Sequence, residues 1–264
     1  MATEGYRFPS RLLIISKNAF REAVRDRILY NLILFVLLIT ASAIFLGELS
    51  AGQEARVIVN LGLSSVLVFG TFISIFVGVS LVWKEIEKRT VYSIFSKPVG
   101  RGEFIVGKYI GLCSTILVNV VVMGAGVSLA LLYVGGGRLV GTIWPAVLLI
   151  FLELTIVTAV AIMFSSFSTP ALSALLTFFV FIIGNFSSSL RDLAAGLNSK
   201  SAQVFFDAIY YLLPNLSQFS FITETSNGMT PPPQMLGGAI LYAIVYDIVL
   251  LTATVIIFKR RNFK

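Results

Sequence analysis

Six long apolar runs, separated by short charged or glycine-rich breaks, dominate the chain: residues 28–47, 57–83, 109–134, 143–167, 171–190 and 236–258. At about 1.5 Å per residue, a helix of this length crosses the roughly 30 Å of hydrocarbon in a bilayer. The pattern predicts an all-α integral membrane protein with six transmembrane helices. Two further stretches are amphipathic. Residues 9–27 place Leu12, Ile15, Ala19 and Ala23 at helical spacing, with Arg11, Lys17, Arg21 and Arg25 largely elsewhere on the wheel. Pro9 suits a first helical turn and Ser10 a cap nearby. The segment reads as a helix lying in the membrane interface.

Residues 84–108 open on a charge cluster, Lys84, Glu85, Glu87, Lys88 and Arg89. Val91, Tyr92, Ile94 and Phe95 follow, too apolar for an idle solvated loop. Pro98 and Gly100 stop the helix this predicts. The segment 191–235 carries an apolar, aromatic stretch broken by Asp207 and Pro214. Its pattern fits short helices on or dipping into the outer interface, where Tyr and Phe are at home. Reading it as a seventh span would reverse the side of the basic tail. Gly135, Gly136 and Gly137 predict a tight turn, and Thr230 to Pro233 a stiff one before the last span.

Charge fixes an orientation. Of the 20 Lys and Arg residues, 16 fall on the side that holds both ends of a six-span chain. The other side holds Arg56, Arg138, Arg191 and Lys200. Short cytoplasmic loops carry the basic excess, so both termini are expected in the cytoplasm. The net charge of +7 sits beside span ends, a placement that fits anionic lipid rather than nucleic acid. Residues 1–27 are too polar for a cleaved leader. With 57% hydrophobic and 12% charged residues, one membrane domain, 1–264, is the economical division.

The chain has no His and one Cys, Cys113, so it offers neither a disulfide nor a His/Cys metal cluster. Residues 102–108, GEFIVGK, match G-x-x-x-x-G-K, but Tyr109 and a span follow where a phosphate loop needs Ser or Thr. No general base or nucleophile motif is present. Glu153 and Asp247 lie well inside predicted spans, where a charge costs at least about 2.5–3.5 kcal/mol. They face a translocation path or hydrogen-bond between helices. Asn119 and Asn185 read as packing contacts. Gly107 and Gly111, and the row Gly62, Gly70 and Gly78, predict close helix packing, at a subunit interface among other places.

In order and spacing, several stretches resemble the membrane subunit of type-2, exporter-type ABC transporters, and within it the copper-enzyme-maturation permeases. They are AFREAVRDRILYNLILF at 19–35, KEIEKRTVYSIFSKPVGRGEFIVGKYIG at 84–111, YYLLPNLSQF at 210–219 and FKRRNF at 258–263. The resemblance implies half of a transporter in a prokaryotic inner membrane. It implies a second permease, identical or different, and a separate cytosolic ATPase that holds ATP and Mg. Residues 9–27 would be the elbow helix. The segment 84–108 would carry the coupling helix, with Glu85, Glu87, Lys88, Arg89, Val91, Tyr92 and Phe95 against the ATPase. Two other readings stay open: an ion-coupled transporter using Glu153 and Asp247, and a membrane scaffold without transport.

Overall fold

The computed structural model describes residues 8–25, 27–48, 50, 52–87, 100–190 and 200–260. These form helices α1 (Phe8–Val24), α2 (Arg27–Glu48), α3 (Glu54–Glu87), α4 (Arg101–Tyr133), α5 (Gly137–Ser165), α6 (Pro170–Asn185), α7 (Lys200–Leu212), α8 (Ile222–Ser226) and α9 (Pro233–Arg260). A 3-10 turn, Leu216–Phe219, lies between α7 and α8. Among the described residues there is no strand.

Among the described residues four helices are long and apolar enough to cross a membrane: Glu54–Ser80, Gly102–Tyr133, Gly137–Ser165 and Pro233–Lys259. Two shorter apolar helices, Val36–Phe45 within α2 and Pro170–Asn185, occupy the remaining expected spans. The sequence pattern places the fifth span at 171–190; α6 runs to Asn185, breaks at Phe186, and helix resumes over residues 187–190. Another segment packs closely beside the break. A methyl group built on Gly184 would sit 2.7 Å from the Pro214 carbonyl oxygen and 2.8 Å from Leu216 Cγ. Residues 214–216 meet the helix there, and Leu216 and Phe219 are fully buried. Helix α7, Lys200–Leu212, has 13 residues.

The centre of the fold is the trio α3, α4 and α5. Helix α2 packs on α3 and α4, α6 on α5 and α3, and α9 on α5 and α4. Glycine sets how closely they approach. An added Cβ at Gly62 would meet Val127 of α4 at 2.8 Å; at Gly70, Leu154 of α5 at 2.6 Å; at Gly78, Ala161 of α5 at 3.0 Å. The glycine row of α3 is thus consumed inside one chain rather than at a subunit interface. Lipid tails are as apolar as leucine, so this packing is held by van der Waals contact between close backbones. Hydroxyls are satisfied locally: Ser65, Thr71, Ser74, Thr115, Ser128 and Thr158 each donate to the carbonyl four residues earlier. Ser165 donates instead across to the Val79 carbonyl, pinning the end of α5 to α3.

Helix α4 begins eight residues before the predicted span. The Glu103 carboxylate accepts from the Gly100 amide at 3.0 Å and satisfies a donor of the first turn. Residues 102–108 are therefore helix, not a loop wrapped round a phosphate. At the other end Gly135, with φ 77°, supplies the left-handed residue that reverses the chain into α5.

Candidate functional site

Three groupings hold the residues singled out by sequence. The first is where α1 meets α4. Built on Gly107, a methyl would lie 2.7 Å from Ile15 Cγ2; on Gly111, 2.5 Å from the Ser16 carbonyl oxygen and 2.6 Å from Ala19 Cβ. Farther along α1, the Glu22 carboxylate lies 3.5 Å from Lys108 Nζ. Helix α1 thus packs extensively against the first half of α4. The Gly107/Gly111 pair accepts this helix of its own chain. The small face of α1 docks on protein, with Ala19 and Ala23 buried, and leaves Leu13 and Ile14 exposed. Lys108 counts as a cytoplasmic charge in the sequence, yet it is buried between Glu22 and the Phe104 ring.

The second grouping is the pair of intramembrane carboxyls, which have different partners. Glu153 is 1% exposed, and Asn185, in the last turn of α6, donates to its Oε1 at 2.7 Å. The same amide reaches the Phe181 carbonyl at 3.2 Å. This bond joins α5 to the short helix. Asp247 of α9 accepts at Oδ2 from Thr155 of α5 at 3.0 Å, with the Thr155 hydroxyl also 2.7 Å from the Leu152 carbonyl. Asp247 Oδ1 has no hydrogen-bond partner among the described residues. The Tyr109 hydroxyl of α4 hydrogen-bonds to the Asp247 carboxyl, and the Cys113 thiol is an electrostatic neighbour. Asn119 is buried, and its amide donates to the Thr115 carbonyl of its own helix at 2.7 Å. Among the described residues no group of three acidic, Cys or His side chains is placed to hold a metal.

A third grouping escapes sequence reading. Asn215 ties together residue 187, the 3-10 turn and α9. Its Oδ1 accepts from Ser187 at 2.7 Å and Ser217 at 2.6 Å, and its backbone amide donates to the Tyr242 hydroxyl of α9 at 2.8 Å. Tyr246 donates to the Leu212 carbonyl at 3.3 Å. The only sequence signal was aromatic residues at 210–246 beside a lone Asn. Thr155 was likewise invisible, being one hydroxyl among many.

Of the coupling positions, Glu85 and Glu87 fall in the last turns of α3, whose side chains there are outside the description. Lys88, Arg89, Val91, Tyr92 and Phe95 lie outside the described residues. What is described is the helix that leads to them. Helix α3 has 34 residues, about 51 Å, and continues seven residues past the end of its apolar stretch at Ser80.

Stacked apolar helices, a basic amphipathic helix packed on α4 and buried polar contacts between helices define a multi-pass α-helical membrane protein. The chain belongs to the ABC-2 family transporter proteins, whose pattern it matches over residues 13–263. It is therefore a permease subunit of an ABC transporter, a class of membrane component that works with an ABC ATPase. Comparison with curated proteins gives no match.

Proposed function

We propose that this chain is the membrane half of an exporter-type ABC transporter, driven by a separate cytosolic ATPase through the segment that joins α3 to α4. The family match over residues 13–263 carries the reading. The length of α3 supports it: a continuous helix leads from the outer end of the bundle to Glu87, beyond its apolar stretch. Closure of the ATPases on ATP moves the segment that begins with Glu85, Glu87, Lys88 and Arg89. Helix α3 transmits that displacement, and the spans repack between inward and outward arrangements. The charges set register on the ATPase, while Val91, Tyr92 and Phe95 supply the apolar anchor.

Both termini lie in the cytoplasm on this reading, α1 serving as the elbow helix. A second permease, identical or different, completes the path. The exposed apolar side of α9, including Leu241, Ile244 and Ile248, meets lipid or that partner. Glu153 and Asp247 act as ties between helices whose making and breaking accompanies repacking. Membership in the copper-enzyme-maturation branch rests on the four quoted stretches alone, and this chain, with no His, is a poor ligand for soft metals itself.

The test is co-purification with the soluble ABC ATPase encoded nearest to it. Replacing Glu87, Lys88 and Arg89 together by Ala weakens retention of the ATPase by about tenfold or more, as expected for the loss of an interface hot spot. Undiminished retention would remove the coupling role from this segment.

A further inference from the structure

An open groove of about 470 Å³ runs between α1 and α4, on the side of the crossing away from the bundle core. Its walls are apolar: Leu13 and Phe20 from α1, Leu117 and Val118 from α4. Lys17 stands at its edge and makes no ion pair among the described residues. Leu13, Leu117 and Val118 are 68%, 44% and 48% exposed. The apolar surface continues along α4 through Val121 and Val122, both exposed, toward the middle of the span. Arg21 and Arg25 extend the basic edge of α1, and the nearby carboxylate of Glu22 is engaged by Lys108.

A site with a cation at one end and a strip of hydrocarbon at the other fits a molecule with an anionic head and an apolar tail. Lys17 belongs to the amphipathic helix α1, and the exposed apolar strip of Leu117, Val118, Val121 and Val122 runs along the spanning helix α4. That is the geometry of a phospholipid in its own leaflet. The volume is within the range of built ligand sites.

We propose that this groove holds one anionic phospholipid, its phosphate on Lys17 and an acyl chain against Leu117 and Val118. The bound lipid fills the wedge beneath α1 and keeps the helix seated on Gly107 and Gly111. The proposal does not depend on which ATPase drives the protein or on what is transported.

Native mass spectrometry of the purified chain, exchanged into detergent with equal phosphatidylglycerol and phosphatidylcholine, tests it. The wild type retains one phosphatidylglycerol in preference to phosphatidylcholine. Lys17→Gln lowers that retention about fivefold, the factor for one lysine at an anionic surface. Val118→Trp, which fills the groove and leaves every charge in place, lowers it at least as much. Arg25→Gln, on the same helix but outside the groove, leaves it unchanged and reports that loss is local. Equal retention of both lipids by the wild type overturns the proposal. So does full retention in Val118→Trp, which would mean only diffuse attraction to a basic surface. Equal losses in all three variants would overturn it too. Circular dichroism of each variant confirms that the helices are intact before its retention is compared.

Discussion

Helices α5 and α9 are almost the same in composition, with mean hydropathy 2.6 and 2.4 over similar lengths. Yet 78% of the membrane-length window of α5 is buried, against 22% for α9. In water that difference would show in the sequence as a polar face on the exposed helix. In lipid it does not, because the surrounding solvent is itself hydrocarbon. What separates the two is what their neighbours allow. Helix α5 is reached by α3 through Gly70 and Gly78 and by α4 through Gly124, and it touches α6 and α9 as well. Helix α9 meets the bundle along a narrow face of Ala239, Ala243 and Asp247, with Tyr242 beside them. Leu241, Ile244, Ile248 and Val249 are left outside. Burial in this fold follows small residues and hydrogen bonds, not hydropathy.

The sharpest way to break that comparison is to obstruct a close approach. Gly111→Val forces a branched side chain against the Ser16 backbone, which no rotamer change relieves. A loss of about 3 kcal/mol is expected. It reads out as a fall in the thermal midpoint in detergent, together with protease access to α1. An unchanged midpoint would mean that the α1–α4 crossing contributes little.

A matched pair of truncations comes next. Leu154→Ala, fully buried against Gly70, opens a cavity and costs about 2 kcal/mol. Ile248→Ala, on the exposed side of α9, changes stability by less than about 0.5 kcal/mol when lipid covers it. Equal losses at the two sites, measured by the same thermal scan, would show that a second permease covers that side of α9.

The smallest effect has opposite signs at the two carboxyls. Glu153→Leu removes the bond from Asn185 and lowers stability by about 1 kcal/mol. Asp247→Leu removes a buried group with one unpartnered oxygen. Thr155 keeps its bond to the Leu152 carbonyl but the Tyr109 hydroxyl loses the carboxyl, so the net gain stays below about 0.5 kcal/mol. Transport measured beside the thermal midpoint then separates a stabilising contact from a working one. A fall in both quantities at Asp247 would refute the view that its free oxygen is a cost to the fold.

Much of the architecture was legible because apolar length is a strong constraint. Among the described residues four of the six runs became apolar helices of membrane length and two contain shorter ones, and the glycine turn at 135–137 sits where its sequence demands. Helix ends were less legible. Glu103 extends α4 backward by a cap that periodicity does not register, and nothing in the apolar run marks the break at Phe186 between α6 and the helical residues 187–190. Partners were the least legible of all. Spacing announced that Gly107 and Gly111 accept something close, but that the guest is the amphipathic helix of the same chain depends on a crossing that no local pattern encodes. Likewise two acids in two spans invite pairing, whereas each has found a neutral partner, Asn185 or Thr155. An amide or hydroxyl compensates a buried oxygen without adding a second charge.

Helix α3 has one more consequence. One end rests against α8 and the other runs past the apolar stretch to Glu87. On the function proposed above, this unbroken helix of about 51 Å serves as a connecting rod: a displacement at Glu87 is carried along one backbone to the contact with α8, without a relay of side-chain rearrangements.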